Sequence, residues 1–387
     1  MKILFIVTSY WAIGEMEIAV QFAKGLANPQ DVLFWVPRKH ENYVKTKGFQ
    51  TVSLYFNMVK LNKIMLENIQ NSFAPDFVVL SDYLNYVFCE KHYGLTLDDL
   101  DYFTGTIGGF DLYNQVENPR RMDTYGFQSK LTTVDERIKF ILHPCPLLEG
   151  DVTNENKNRF AVRLVDKLTL RSKEEKENVK KALGINIEQK VILITNAQWQ
   201  STYRKYERAV SFVEKAERYF QAILEELSKD YYVVVIGKEN EADSNIHYLP
   251  SVSPDTFDKY IDATDLFLSR NIISTSFAKV ILKGILGVVL INSSVDEDAY
   301  KCKTFPVGWY DYIAPLESKS LYFQCFKQYE MFEQSDCIIK IKELFCEPQD
   351  QKVLKKYHEQ LKKLKNAQDI FNELERKSVD GRDNDSY

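Results

Sequence analysis

The sequence has no Cys-x-x-Cys pair, no close pair of histidines, no excess of basic residues and no apolar run of membrane-spanning length. Each absence removes a class of function. Its six cysteines, Cys89, Cys145, Cys302, Cys325, Cys337 and Cys346, are scattered. They suggest neither a structural zinc site nor a disulfide framework, and read as reduced, buried thiols. Lys and Arg number 50 against 55 Asp and Glu, so no general basic surface exists to grip nucleic acid. The N-terminal run "KILFIVT" leads straight into Gly14 and a helical pattern, which makes a poor signal peptide and too short a span. The expectation is a cytoplasmic protein without a transmembrane segment.

What is present is a long α/β pattern. A chain of 387 residues exceeds one ordinary core, so two domains are expected. Its 23 Tyr and 24 Phe suggest well-filled cores. Short β-branched or aromatic runs alternate with helical patterns, the signature of parallel βαβ units. "KILFIVT", "DVLFWVP", "TVSLYF", "PDFVVLSD" and "RIKFILHPCP" read as strands of a first domain; "KVILITN", "YYVVVIG", "IHYLP", "DLFLSR" and "VVLIN" read as strands of a second. Between them, residues 147–171 read as polar and irregular. Ser172 and Glu175 then stand at capping-box spacing before a helix that Gly184 would end.

The expected division is a first Rossmann-like domain over 1–146, a linker with its first helix over 147–185 and a second Rossmann-like domain over 186–350. A charged amphipathic helix over 351–378, packing back on the first domain, and a disordered tail over 379–387 complete it. In open parallel sheets ligands sit beyond the carboxyl ends of the strands, so the residues just after each strand carry the functional expectation.

The strongest local pattern follows "DLFLS", which delivers Arg270 and the hydroxyls Ser274, Thr275 and Ser276 onto a helix start. Free N–H groups and the positive end of a helix favour an anion, and an arginine adds donors suited to a pyrophosphate. The plainer reading is that Ser274 or Thr275 caps the helix and Arg270 is a surface charge. At the front of the chain, "IGEMEIAVQFAKGL" carries Gly14 and, in its first turn, Glu15. Glu15 is either a buried carboxylate able to take a proton or an acid favoured by the helix dipole.

Taken in order, "YLPSVSP", "YIDATDLFLSR" and "NIISTSFAKVILKGILGVVLI" resemble the donor-binding half of GT-B glycosyltransferases, in particular the UDP-glycosyltransferase type that includes the bacterial enzyme adding N-acetylglucosamine to a lipid-linked peptidoglycan precursor. "IGEMEIAVQFAKGL" resembles that family's acceptor-side loop and helix. The resemblance implies two doubly wound Rossmann-like domains facing across a cleft, with metal-independent transfer from a nucleotide-sugar donor. The acceptor is left open among a small molecule, a lipid-linked molecule and a glycan, and no cofactor is called for.

On the same resemblance Tyr248, Leu249 and Pro250 would lie around the nucleoside. Arg270, Ser274, Thr275 and Ser276 would approach the diphosphate. Asn196 and Gln198 in "TNAQWQ" would form a turn by the donor, and Asp296, Glu297 and Asp298 in "VDED" would hold sugar hydroxyls. Three departures stand out. Glu15 replaces the family's histidine base; Ala278 or Lys279 occupies the place of its ribose-holding glutamate, where Lys279 pairs with a phosphate or is solvated; and the phosphate turn "RNIIST" has no glycine.

Asp82, at the end of "PDFVVLSD", would orient a base or acceptor, or cap a helix. "LTLDDLDYFTGTIGGFDLYN" reads as an acceptor-side loop containing Gly108 and Gly109 rather than as a metal-binding Asp-x-Asp site. His143 is expected to pack near the hinge, and Glu239 is a loop carboxylate that either touches the nucleotide or does nothing. Two rivals are carried forward. A non-hydrolysing nucleotide-sugar 2-epimerase needs several acids and a histidine converging on one sugar, a set the sequence does not bring together; a non-catalytic relative would bind nucleotide or a partner protein.

Overall fold

The computed structural model describes residues 1–10, 13–112, 133–146, 158–196, 210–239, 245–272, 274–291, 320–347 and 350–384. The chain divides into two compact units, the first formed by residues 1–166 and 361–387 and the second by residues 167–360.

The first unit is built on a parallel sheet of β1 (Ile3–Ile6), β2 (Val32–Pro37), β3 (Gln50–Leu54), β4 (Phe77–Leu80), β5 (Thr106–Phe110), β6 (Phe140–Cys145) and β7 (Arg159–Arg163). The strand order is β3-β2-β1-β4-β5-β6-β7. All four residues of β1 and all six of β2 are buried, as expected of strands covered on both faces. Helices α1 (Gly14–Ala23), α2 (Glu41–Thr46), α3 (Val59–Ser72), α4 (Tyr83–Phe88) and α5 (Glu90–Tyr93) supply the coverings. Because the chain runs outward through β2 and β3 and then returns to the other side of β1, the direction of winding reverses between β1 and β4.

The second unit repeats the plan. Helix α6 (Lys173–Ala182) opens with a complete capping box between Ser172 and Glu175. Strands β8 (Val191–Thr195), β9 (Tyr232–Ile236), β10 (His247–Leu249), β11 (Leu266–Ser269), β12 (Leu286–Ile291) and β13 (Lys327–Glu330) form a parallel sheet in the order β10-β9-β8-β11-β12-β13. Its reversal lies between β8 and β11. Helices α7 (Val210–Leu227), α8 (Pro254–Ala263), α9 (Thr275–Leu282) and α10 (Gln334–Leu344) flank it. One charge network pins it from behind. Lys180, buried on α6, donates to Asp265 Oδ2 at 2.7 Å and to the Gln189 carbonyl at 2.7 Å, while Lys176 and the Val191 amide also donate to Asp265.

Three expectations change. Residues 147–171 do not form only an irregular linker, since β7 pairs with β6 and extends the first sheet. The charged segment after residue 350 is two helices, α11 (Lys352–Lys362) and α12 (Ala367–Asn384), because Asn366 Oδ1 accepts the Asp369 amide at 2.9 Å and starts a new helix. That second helix continues to Asn384, through part of the stretch expected to be disordered. It carries Phe371, fully buried among Phe22, Phe77 and Phe140 of the first unit with ring centroids 4.9–6.0 Å apart.

No helix among the described residues is long and apolar enough to cross a membrane.

Candidate active site

The carboxyl edge of the first sheet is unusually polar for a buried place. Ile6 pairs with Leu80, Leu80 with Gly109, and Phe110 with Leu142. Carried past the strand ends, this register aligns Asp82, Asp111 and His143 in one row, and the ladder persists there because the Asp111 amide donates to the Leu142 carbonyl at 3.0 Å. Neighbouring strands lie about 4.8 Å apart and a row shares one face, so the three side chains are neighbours. All three residues are buried.

Glu15 enters from the other side of the reversal point as the second residue of α1, which begins at Gly14 with no side-chain cap. Gly14 is therefore a helical residue here, not a turn. The Ser9 hydroxyl hydrogen-bonds to the Glu15 carboxylate, and Glu15 Oε2 is buried with no partner. Asp82 caps α4 by accepting the Asn85 amide on Oδ1 at 3.1 Å, which leaves Oδ2 buried and unpartnered. Ser81 Oγ and His143 Nδ1 are in the same condition.

Electrostatics follow from burial. Loss of water pushes the Glu15 carboxyl above its ordinary range, against the hydrogen bond from Ser9. Asp82 is driven well above its own, first by burial and then by the charges of Glu15 and Asp111. Burial lowers His143, with Asp111 pulling the other way, which favours a neutral imidazole. A carboxylate whose affinity for a proton is raised by burial is a stronger base than one in water, and so is suited to proton transfer.

Gly108 and Gly109 lie within β5 and are buried, which corrects their reading as an acceptor-side loop. The reason is packing: a Cβ on Gly108 would stand 2.4 Å from the Phe140 ring. His143 is corrected too, since it sits in the polar row with Asp82 and Asp111. Asp111 was missed by sequence reasoning. Its only signal is its place just after β5, where it ends "TIGGFD".

At the equivalent reversal point of the second sheet, Asn196 follows β8 and Arg270 follows β11, with Arg270 Nη2 donating to Asn196 Oδ1 at 3.3 Å. Arg270 is buried, pairs with Glu217 of α7 at 2.6 Å and lies 4.1 Å over the Phe220 ring. It is thus neither a surface charge nor an uncompensated one. Gly237, after β9, has φ +96°, and a Cβ there would meet the Asn196 carbonyl at 2.1 Å. Ser274 caps α9 by accepting the Phe277 amide, and Thr275 and Ser276 are the first two helical residues. Lys279 pairs with Asp258 of α8 at 2.7 Å.

Tyr248 is buried in the core of the second unit, its hydroxyl bonded to the Gln221 side-chain amide, so its side chain is committed to the core, while Leu249 is half-buried and Pro250 exposed. Gln198, Asp296, Glu297 and Asp298 lie outside the described residues. Glu217 and Phe220 were not singled out from the sequence, although three residues apart on one helix they share a face.

Two parallel Rossmann-like units, each with its winding reversed beside its first strand, define the GT-B fold. Solved structures agree. The calicheamicin glycosyltransferase CalG4 matches with a TM-score of 0.53 at 11% identity, covering 97% of each chain. The glycosyltransferase SsfS6 of Streptomyces sp. SF2575 gives 0.52 at 10% identity, over 97% of this chain and all of that one. A UDP-N-acetylglucosamine 2-epimerase gives 0.50 at 13%, over 97% and 95%. At such identities the likeness is one of fold. The chain belongs to a family of unknown function (DUF6365), whose model matches residues 22–301 and 296–379. None of the curated proteins compared with it matches the sequence.

Proposed function

We propose that the protein is a glycosyltransferase that moves a sugar from a nucleotide-diphosphate sugar, held by the second unit, to a hydroxyl held by the first. The observation that carries this reading is the Glu15 carboxylate: buried, raised above its usual range and with Oε2 unpartnered at the carboxyl edge of the first sheet. Glu15 takes the proton of the acceptor hydroxyl as the acceptor oxygen bonds to the anomeric carbon. The bond from that carbon to the diphosphate breaks and the nucleoside diphosphate leaves, with inversion at the sugar. The N-terminal amides and hydroxyls of Thr275 and Ser276 receive the growing negative charge of the leaving group. Arg270 adds positive potential from behind while Glu217 and Asn196 hold it in place. The chemistry is positioning and charge stabilisation, and no metal takes part in it.

A screen of nucleotide sugars for binding and for turnover with mixed acceptors tests the proposal. Glu15→Gln should leave donor affinity within about twofold and lower turnover by about 10²–10⁴-fold. Retained turnover in that variant removes Glu15 from the mechanism.

One observation favours a second reading, epimerisation of the nucleotide sugar. Glu15, Asp82, Asp111 and His143, residue types that such a reaction needs, are near enough at one sheet edge for Asp82 to feel Glu15 and Asp111 and for His143 to feel Asp111. Incubation with one nucleotide sugar and no acceptor separates the two, since only an epimerase yields a new nucleotide sugar.

A further inference from the structure

Buried polar atoms without a partner are costly, and four of those found among the described residues, Glu15 Oε2, Ser81 Oγ, Asp82 Oδ2 and His143 Nδ1, gather at one sheet edge. Transfer accounts for Glu15 alone. Asp82 and His143, with Asp111 between them, stand in one row at the carboxyl ends of β4, β5 and β6 and have no task in the reaction as written, while Ser81 alternates to the other face.

Their chemistry selects a ligand. Among the described residues, no lysine or arginine is among the groups that act on the two carboxyls, so a phosphate or carboxylate would add its charge to theirs. No group of three or more His, Cys, Asp or Glu among the described residues is placed to hold a metal ion. The set mixes an acceptor, the imidazole Nδ1, with carboxyls whose hold on a proton burial strengthens and which then can also donate. Adjacent hydroxyl groups, each able to donate and accept, complement such a set.

We propose that Asp82, Asp111 and His143, with Glu15 at their rim, form a site for a neutral pyranose ring. The ligand of the first unit is then itself a sugar, bound through two or more hydroxyls. The site rests on the transfer reading only for which sugar fills it: in transfer it is an acceptor sugar, and in epimerisation it is the hexose of the nucleotide sugar.

The test uses the full-length protein with no donor present. Methyl β-D-glucopyranoside and N-acetylglucosamine are titrated by saturation-transfer NMR, and UDP and TDP are titrated separately. The wild type should bind at least one monosaccharide saturably. Asp111→Asn and His143→Gln should weaken that binding tenfold or more, roughly what one buried hydrogen bond to a charged or strongly polar group supplies, and leave nucleotide affinity unchanged.

Asp82→Asn keeps the cap on α4, so it should melt no lower than wild type and still weaken sugar binding several-fold. A wild type that binds no monosaccharide overturns the site, as do folded variants that all bind like wild type. If an intact nucleotide sugar displaces the monosaccharide while UDP and TDP do not, the occupant is the donor's hexose; simultaneous binding makes it an acceptor. Sugar binding without turnover on any donor sinks transfer and leaves the site standing. Turnover that Asp111→Asn and His143→Gln leave untouched, with no monosaccharide bound, does the reverse.

Discussion

The two sheets reverse their winding at equivalent places, and the chain has treated those places in opposite ways. Beside β8 and β11 every charge has an answer: Arg270 has Glu217 and Asn196, and Lys279 has Asp258. Deeper in that unit Lys180 has Asp265. Beside β1 and β4 the acids Glu15 and Asp82 are buried against each other with an oxygen of each unsatisfied. A satisfied network fixes a backbone, whereas an unsatisfied one stores free energy that a ligand can release. On the proposed reading, the difference assigns proton chemistry to the first unit and a scaffold for the leaving group to the second.

Three substitutions press on this contrast, and the largest effect belongs to the satisfied side. Asp265→Asn leaves Lys180 buried without its counter-ion and should cost about 3–5 kcal/mol, read from denaturant melts of the second unit. Burial alone would raise Asp265, but the hydrogen bonds from Lys180, Lys176 and the Val191 amide hold it below its usual range. A group depressed on folding lends stability above its unfolded pKa and loses it as the pH falls through the folded value. Wild type should therefore weaken with acid below about pH 4 and the variant should lack that slope, whereas parallel acid curves would deny Asp265 its role.

Next comes Arg270→Ala, which should weaken UDP or TDP binding by about tenfold, the scale of one charge-assisted contact. Unchanged affinity in a folded variant would remove Arg270 from the phosphate assignment, and Glu217 would then be the partner of a purely structural cation.

The smallest effect, and the most diagnostic, is on the unsatisfied side. Asparagine keeps the cap on α4 while removing a carboxyl that burial and Glu15 drive upward. A group raised on folding gives stability at low pH and loses it as the pH rises through the folded value. Asp82→Asn should thus gain about 1 kcal/mol near pH 8 and almost nothing near pH 4, measured by thermal melts. Destabilisation at pH 8 would show that the unpartnered oxygen is not a stored cost.

How much of this was legible beforehand differs between backbone and side chains. Strand positions were readable because buried parallel strands are short continuous apolar runs, and "KILFIVT" and "PDFVVLSD" carry them openly. Asp82 was readable as the residue that ends a strand run, and Glu15 as the acid in the first turn of the helix that follows the first strand. Asp111 and His143 were not, because their role comes from register: only when Phe110 pairs with Leu142 does a row from Asp82 to His143 exist, and register is a long-range fact. The glycines of β5 misled for a related reason. Gly108 looks like a turn in isolation, while its cause, the Phe140 ring, lies 32 residues further along the chain.

Helix α12 has a consequence for how the protein comes into being. Phe371 closes the aromatic cluster of Phe22, Phe77 and Phe140, yet it is translated after the whole of the second unit. On the ribosome the unit encoded second is therefore complete first. Until residues near 371 leave the exit tunnel, the earlier unit waits with an uncovered apolar surface, the kind of nascent intermediate that chaperones hold.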